Sequence, residues 1–353
     1  MKAEDFLRGR GAQYNPANKY LKQAYVAEHI EGLDEPMLSD SKTEFLPTHP
    51  KTIVNKIDSP DLGMGYSLNP YQGCEHGCVY CYARNSHQYW GYGAGLDFER
   101  KIIVKENAPE LLIKQLESKN WQVMPIMLAG NTDCYQPIEA KKKITRRILE
   151  ILLKYKHPVS IITKNALILR DLDLLTELNK LDLVHVNISI TTLDEKLRQK
   201  FEPRTATGSK RLDVVRQLSA AGLPVNVMVA PVIPGLNDSE IPQIIKQAAE
   251  AGAKNAAYTI VRLNGEIGPI FEDWITQTFP DRAQKVLSQI ADCHGGQVND
   301  SRFGTRMSGE GKFAETIAKL FKMSKQKYMA GRSIKPYNYS HFCTSKGKQL
   351  GLF

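Results

Sequence analysis

Cysteine is scarce in this sequence, six residues in 353, too few for a disulfide scaffold in a chain of this length. No stretch approaches the roughly 18 to 20 consecutive apolar residues of a membrane-spanning helix. The opening residues, Met1 to Arg10, hold no apolar run of signal-peptide length. Sustained hydrophobic periodicity is missing up to about residue 60, where Gly9-Arg10-Gly11-Ala12 and Asn15-Pro16-Ala17-Asn18 read as loop and turn chemistry. Arg8 and Arg10 are expected to be solvated there. The glycine-rich stretch 301–311 lacks the GK[ST] ending of a phosphate loop. These absences argue against a secreted disulfide-knit domain or a membrane protein, and a reducing, cytoplasmic setting is expected.

What is present is an ordinary globular composition, 42% hydrophobic and 24% charged, in a chain long enough for one large domain or two. The formal charge is +9, with much of the excess in residues 309–353. That balance permits a nucleic-acid partner without requiring one. The tail from Lys325 to Lys348 interleaves basic residues with Tyr328, Tyr337, Tyr339, His341 and Phe342. It reads equally as a nucleic-acid contact or as a segment folded back on the main domain.

Three of the six cysteines sit together as Cys74, Cys78 and Cys81, spaced C-x3-C-x2-C, while Cys134, Cys293 and Cys343 are scattered. Thiolates so close along the chain can converge on a soft metal centre, and three suit an iron–sulfur cluster with one iron left open. A zinc site would want a fourth ligand, which no familiar interval supplies. His76 lies inside the loop with its side chain free to face outward.

From residue 124 onward short apolar runs alternate with helical patterns. Residues 124–129, 159–163, 184–190, 225–230 and 256–261 read as strands. Helices are expected near 108–118, 139–155, 166–180, 210–221, 238–251, 283–293 and 312–322, and Phe98–Lys105 reads as a further strand. Repeated βα units imply a parallel sheet, either a doubly wound sheet or a barrel. Chemistry in such folds gathers where parallel strands end. The sequence there offers Gly130, Asn131, Thr132 and Asp133, then Lys164, Ser189, Glu202-Pro203-Arg204-Thr205, and Pro231 with Ile233.

The cysteine spacing, with Tyr80 just before the last cysteine, resembles the signature of the radical S-adenosylmethionine (radical SAM) superfamily. Gly9–Ala12, the Asn-Pro-x-Asn turn and the long approach to the cysteines are similar to a branch related to spore photoproduct lyase. The resemblance implies a partial (β/α)6 TIM-like barrel over residues 61–270. An N-terminal extension over 1–60 and a C-terminal helical extension over 271–353 would pack on it. It implies a 4Fe–4S cluster on Cys74, Cys78 and Cys81, and SAM cleaved to a 5′-deoxyadenosyl radical that abstracts hydrogen from a substrate. An electron donor such as flavodoxin or ferredoxin would be needed. By the same analogy Tyr80 and residues Gly130 to Asp133 border SAM, the latter receiving its amino group. Lys164 pairs with its carboxylate, Ser189 meets a ribose hydroxyl, Pro231 and Ile233 flank the adenine, and Arg204 pairs with Glu202 or the carboxylate. The resemblance would put a hydrogen-donating cysteine where this chain has Gly130, which leaves Cys134 as a relocated donor. DNA-lesion repair is the alternative enzymatic reading. A non-enzymatic protein with a structural cluster or zinc is the other.

Overall fold

The structure, a computed structural model, describes residues 7–20, 42–61, 63 and 65–344. Ten strands are found among them: β1 (Glu44–Thr48), β2 (Val54–Lys56), β3 (Tyr66–Leu68), β4 (Tyr71–Gln72), β5 (Lys101–Lys105), β6 (Ile126–Leu128), β7 (Val159–Thr163), β8 (Val184–Ser189), β9 (Val225–Val232) and β10 (Asn255–Ile260). Strands β3, β6, β7, β8, β9 and β10 lie side by side in chain order and all parallel, with β2 antiparallel at the β3 edge. A small second sheet has the order β1-β5-β4.

Six parallel strands in sequence order, joined by helices, make the partial (β/α)6 barrel. Alternation along each strand divides its residues between two environments. Leu68, Leu128, Ile161, Val186 and Val227 are fully buried in the core. Ser67, Met127, Ile162, Asn187 and Met228, their neighbours in sequence, line the internal cavity. The helix Ile144–Lys154 shows the complementary period, burying Ile144, Ile148, Leu149 and Leu152 on one stripe. Each such side chain contributes about 1.5–3 kcal/mol on burial. The helix Gly311–Met329 adds Ala314, Ile317, Phe321 and Met329 to the same core.

Several elements differ from the sequence reading. Phe98–Arg100 belongs to a short helix, Leu96–Arg100, and the strand begins only at Lys101. Phe98 and Glu99 are buried there, and the Phe98 carbonyl accepts a bond from Cys74 N instead of a ladder partner. The helix expected over 139–155 is broken at Lys143, whose φ is +53°. Glu139 explains the break: its buried carboxylate accepts from Thr145 N and caps the second helix. Three helices had no counterpart in the reading, Arg84–His87, Glu195–Phe201 and Ile267–Thr278.

The described part of the tail folds back. Tyr337 stacks on His185 with ring centroids 3.8 Å apart, and Asn338 N donates to Asp182 O. Cys343 N donates to Tyr155 O, and Arg332 donates to the Ala249 and Ala253 carbonyls. These anchors lie just before β7, β8 and β10 or, for His185, at the start of β8, so the segment crosses the N-terminal ends of the strands. Residues 345–353, the end of the basic tail, lie outside the described residues. No helix among the described residues is long and apolar enough to cross a membrane.

Two buried histidines set an acid limit on this fold. Burial pushes His157 and His87 each down to about 4 from the ordinary 6.5. The unfolded chain therefore binds more protons between those values. Stability conferred by the neutral rings is complete above pH 6.5 and is lost as pH falls toward 4. In urea titrations across that window, His157→Gln is expected to lower the slope of unfolding free energy by up to one proton, about 1.4 kcal/mol per pH unit. An unchanged slope would show that His157 titrates alike in both states.

Candidate functional site

The cysteine loop follows β4 and makes two turns that need glycine. Gly73 and Gly77 have φ of +81° and +68°. A Cβ on Gly73 would lie 2.9 Å from Lys101 O, and one on Gly77 would lie 2.8 Å from Glu99 Oε2. The loop backbone is held throughout: Cys74 N donates to Phe98 O, Glu75 N to Gln136 Oε1 and Val79 N to Phe201 O. Arg84 donates to the Cys78 carbonyl at 3.0 Å.

Two buried carboxylates brace the loop from opposite sides. On one side Glu99 pairs with Arg84 at 2.5 Å and accepts from Gly11 N and Ala12 N at 3.1 and 2.8 Å. The leader passes so close that a Cβ on Gly11 would fall 1.8 Å from Gly77 O. Arg10, expected in solvent, is buried and donates to Glu99 O. On the other side Glu202 is bonded by Arg211, Thr191, Thr205 and the Tyr80 hydroxyl. Burial alone would raise the Glu202 carboxyl, but Arg211, Lys164 and the hydroxyl donors hold it down at about 2.

Cys74, Cys78 and Cys81 open onto a cavity of about 480 Å³ at the C-terminal ends of the parallel strands. None is in a disulfide. Burial pushes all three thiols up, Cys74 well above its ordinary value. Among the described residues no three His, Cys, Asp or Glu groups converge closely enough for a single metal ion. The triad is a wide three-point seat of soft donors, suited to a cluster that takes one thiolate per iron.

The same cavity is lined by Tyr80, Gly130, Asn131, Thr132 and Asp133, and by Lys164, Ser189 and Pro231. Asp133 ties the β6 and β7 ends together, accepting from Thr163 Oγ1 at 2.8 Å and from Lys164 N at 2.9 Å. Its carboxylate also lies 3.4 Å from His76 Nδ1, so His76 faces inward, not outward. Thr132 donates its hydroxyl hydrogen to Tyr71 O. The Lys164 ammonium stands 5.9 Å from the Tyr80 ring centre. No carboxylate lies within ion-pair distance of it among the described residues.

Three expected site residues are elsewhere. Arg204 is exposed and outside the cavity lining, and the guanidinium paired with Glu202 is that of Arg211. Adjacency in Glu-Pro-Arg-Thr misled, because Arg211, nine residues on, reaches the carboxylate instead. Ile233 is fully buried in the apolar cluster that holds Trp274 and Ile290, not on the cavity. Cys134 is fully buried in the barrel core, does not line the cavity, and its thiol is pushed well up by burial. The sequence reading missed Arg211, Arg84 and Glu99, and on the cavity wall Tyr82, Arg262 and Arg306. The charged ones among them signalled only as charge next to apolar sequence, which solvated residues share.

Removing Arg211 would leave Glu202 buried and uncompensated. Arg211→Ala is expected to cost about 3–5 kcal/mol in denaturant unfolding. It should also speed alkylation of Cys78 and Cys81 by iodoacetamide in the metal-free protein. Alkylation at the wild-type rate would mean that the loop does not depend on this brace.

The Radical SAM superfamily profile matches residues 68–248, from the end of β3 past β9. An uncharacterised protein of Mycobacterium tuberculosis is 35% identical over 65% of this chain and 69% of its own length. Another, of Methanocaldococcus jannaschii, is 30% identical over 71% of this chain and 90% of its own. Among solved structures, spore photoproduct lyase with bound AdoMet and dinucleoside spore photoproduct superposes with a TM-score of 0.59 at 16% identity. That match covers 83% of this chain and 82% of the lyase, and it is a likeness of fold. The matched profile spans the cysteine loop together with the strand ends that face it, and on that ground the chain belongs to the radical SAM superfamily.

Proposed function

We propose that Cys74, Cys78 and Cys81 hold a 4Fe–4S cluster and that SAM lies beside it across the strand ends. The chain then acts as a radical enzyme on a substrate admitted to the same cavity. The observation that carries this reading is that three unbridged thiols and the polar ends of β6 to β9 face one cavity of about 480 Å³. When bound, the cluster and SAM supply one-electron cleavage to a 5′-deoxyadenosyl radical for hydrogen abstraction. An electron donor such as flavodoxin or ferredoxin would serve that step.

The protein's own groups bind, orient and exclude water. Lys164, which has no carboxylate partner among the described residues, is suited to the methionine carboxylate of SAM as a compact cation. Residues Gly130 to Asp133 suit its amino group, with Asp133 held by Thr163 and the Lys164 backbone. Ser189 suits a ribose hydroxyl and Pro231 the adenine face. Tyr80, fixed by Glu202, supports the cysteine loop beneath Lys164. Met127, Ile162 and Met228 give the interior an apolar wall that keeps water from a reactive species. We assign residues 61–270 to the catalytic barrel, with 1–60 and 271–353 as extensions that brace it. A nucleic-acid substrate is the finer reading, supported by the charge of +9 and by the lyase likeness.

Anaerobic reconstitution tests this. The reduced protein is expected to carry about four irons per chain. Its low-temperature electron paramagnetic resonance spectrum should shift on adding SAM, and 5′-deoxyadenosine should form. Both signals are expected to vanish in Cys78→Ala. Zinc in place of iron, or a spectrum indifferent to SAM, would overturn the proposal.

A further inference from the structure

The cavity carries more positive charge than its proposed cofactor explains. Lys164 stands on the cysteine side. Arg262, just past β10, and Arg306, on the loop after Ser301, are two further cations on the same lining. Burial disfavours the charge of Arg262, and the nearby Arg306 guanidinium adds to that penalty.

Asp300 and Asp61 offset this only in part. Arg306 is paired with Asp61 and also donates to Ser59 Oγ at 2.6 Å. Asp300 is bonded to Arg302 at 3.0 Å and to Thr305 at 3.2 Å. Arg262 makes one side-chain hydrogen bond, from Nη1 to the Asp300 carbonyl at 3.3 Å. Among the described residues no carboxylate lies within ion-pair distance of it. A guanidinium has five donors in a planar fork, so most of this one's capacity is uncommitted beside the cavity.

Aromatic rings border the same wall. Tyr82 lines the cavity, 53% exposed, and its hydroxyl donates to the Gly130 carbonyl. Phe303, 59% exposed, lies under the Arg306 guanidinium at 4.4 Å. A forked cation for phosphate beside exposed rings for stacking is the combination that recognises a nucleotide.

We propose that Arg262, with Arg306 beside it, receives a phosphate of a nucleotide substrate. The phosphate could belong to a free nucleotide or to a nucleic-acid strand. This rests on the radical SAM reading of the cavity, because it assigns the cysteines and Lys164 to the cofactor and Arg262 and Arg306 to the substrate.

The test is calorimetric titration of the reconstituted, SAM-saturated protein with four probes: thymidine, thymidine 5′-monophosphate, a short oligodeoxynucleotide and a phosphoserine peptide. The two phosphate-bearing nucleotides are expected to bind and thymidine is not. Arg262→Gln should weaken nucleotide binding about tenfold and reduce the salt slope of oligonucleotide binding by about one. An oligonucleotide that binds more tightly than the monophosphate identifies a strand as the source, and equal affinities identify a free nucleotide. Thymidine or the phosphoserine peptide binding as well as the monophosphate would overturn the assignment. So would failure of both nucleotides to bind, or an Arg262→Gln variant with wild-type affinity. Should Arg262→Gln fail to fold, Arg262→Lys keeps the charge but not the fork, and is expected to lose part of the affinity. Wild-type affinity in that variant would overturn the role of the fork. 5′-Deoxyadenosine formation is scored on the same wild-type preparation. Its absence counts against the SAM reading, whereas its presence with binding indifferent to phosphate counts against Arg262 alone.

Discussion

A loop that buries three thiols must first satisfy its own backbone, and here two buried carboxylates make that possible. Glu99 gathers the leader and Arg84 on one side of the cysteine loop, and Glu202 gathers Tyr80 and Arg211 on the other. Each carboxylate is desolvated, so each is tolerable only while its guanidinium and hydrogen-bond partners stay in place. The position of the cysteines is thus coupled to the leader, to the short helix before β5 and to the segment after β8. The loop is local in sequence, but its supports come from across the chain.

The same logic separates the two ends of the barrel. At the C-terminal ends of the strands polar residues from successive units converge on an internal cavity. At the other end the segment 330–344 lies across the strand starts, with Tyr337 against His185. Of the tail as far as it is described, Tyr337 and Phe342 pack on the barrel, while Tyr339 stays exposed. The glycine-rich stretch after Ser301 also has a place. Met307 O accepts from Ile260 N while Gly304 N and Arg306 reach Asp61, so the stretch spans from β10 to the segment that follows β2. An open series of strands is closed laterally by a loop, and that loop brings Arg306 to the cavity.

Much of this was legible in the sequence wherever the signal was local. The C-x3-C-x2-C spacing marked the functional loop because its members are neighbours along the chain. The strand of residues 159–163 was bounded correctly because its short β-branched run, Val-Ser-Ile-Ile-Thr, is set off by Pro158 before it and Lys164-Asn165 after it. The interruption at Lys143 was not legible, since it depends on Glu139 reaching forward to cap the next helix. Nor were the Glu99–Arg84 and Glu202–Arg211 pairs. A buried charge and a solvated one look alike until the chain has folded. Arg204 failed for the converse reason, being adjacent in sequence to the carboxylate that Arg211 neutralises.

Cys134 sharpens what the cavity can do. It lies two residues past Thr132, in a segment whose side chains divide between cavity and core. Asp133 turns to the β7 end and to His76, and Cys134 turns inward, where the core closes over it. At Gly130, on the cavity side, there is no side chain, although a Cβ there would meet only Met127 and Ser67 carbons at 3.2 and 3.4 Å. The thiols lining the cavity are then those of the triad itself. If those three hold the proposed cluster, no further cysteine of this wall is left to donate hydrogen to a substrate. The likeness to the lyase is thus a likeness of fold.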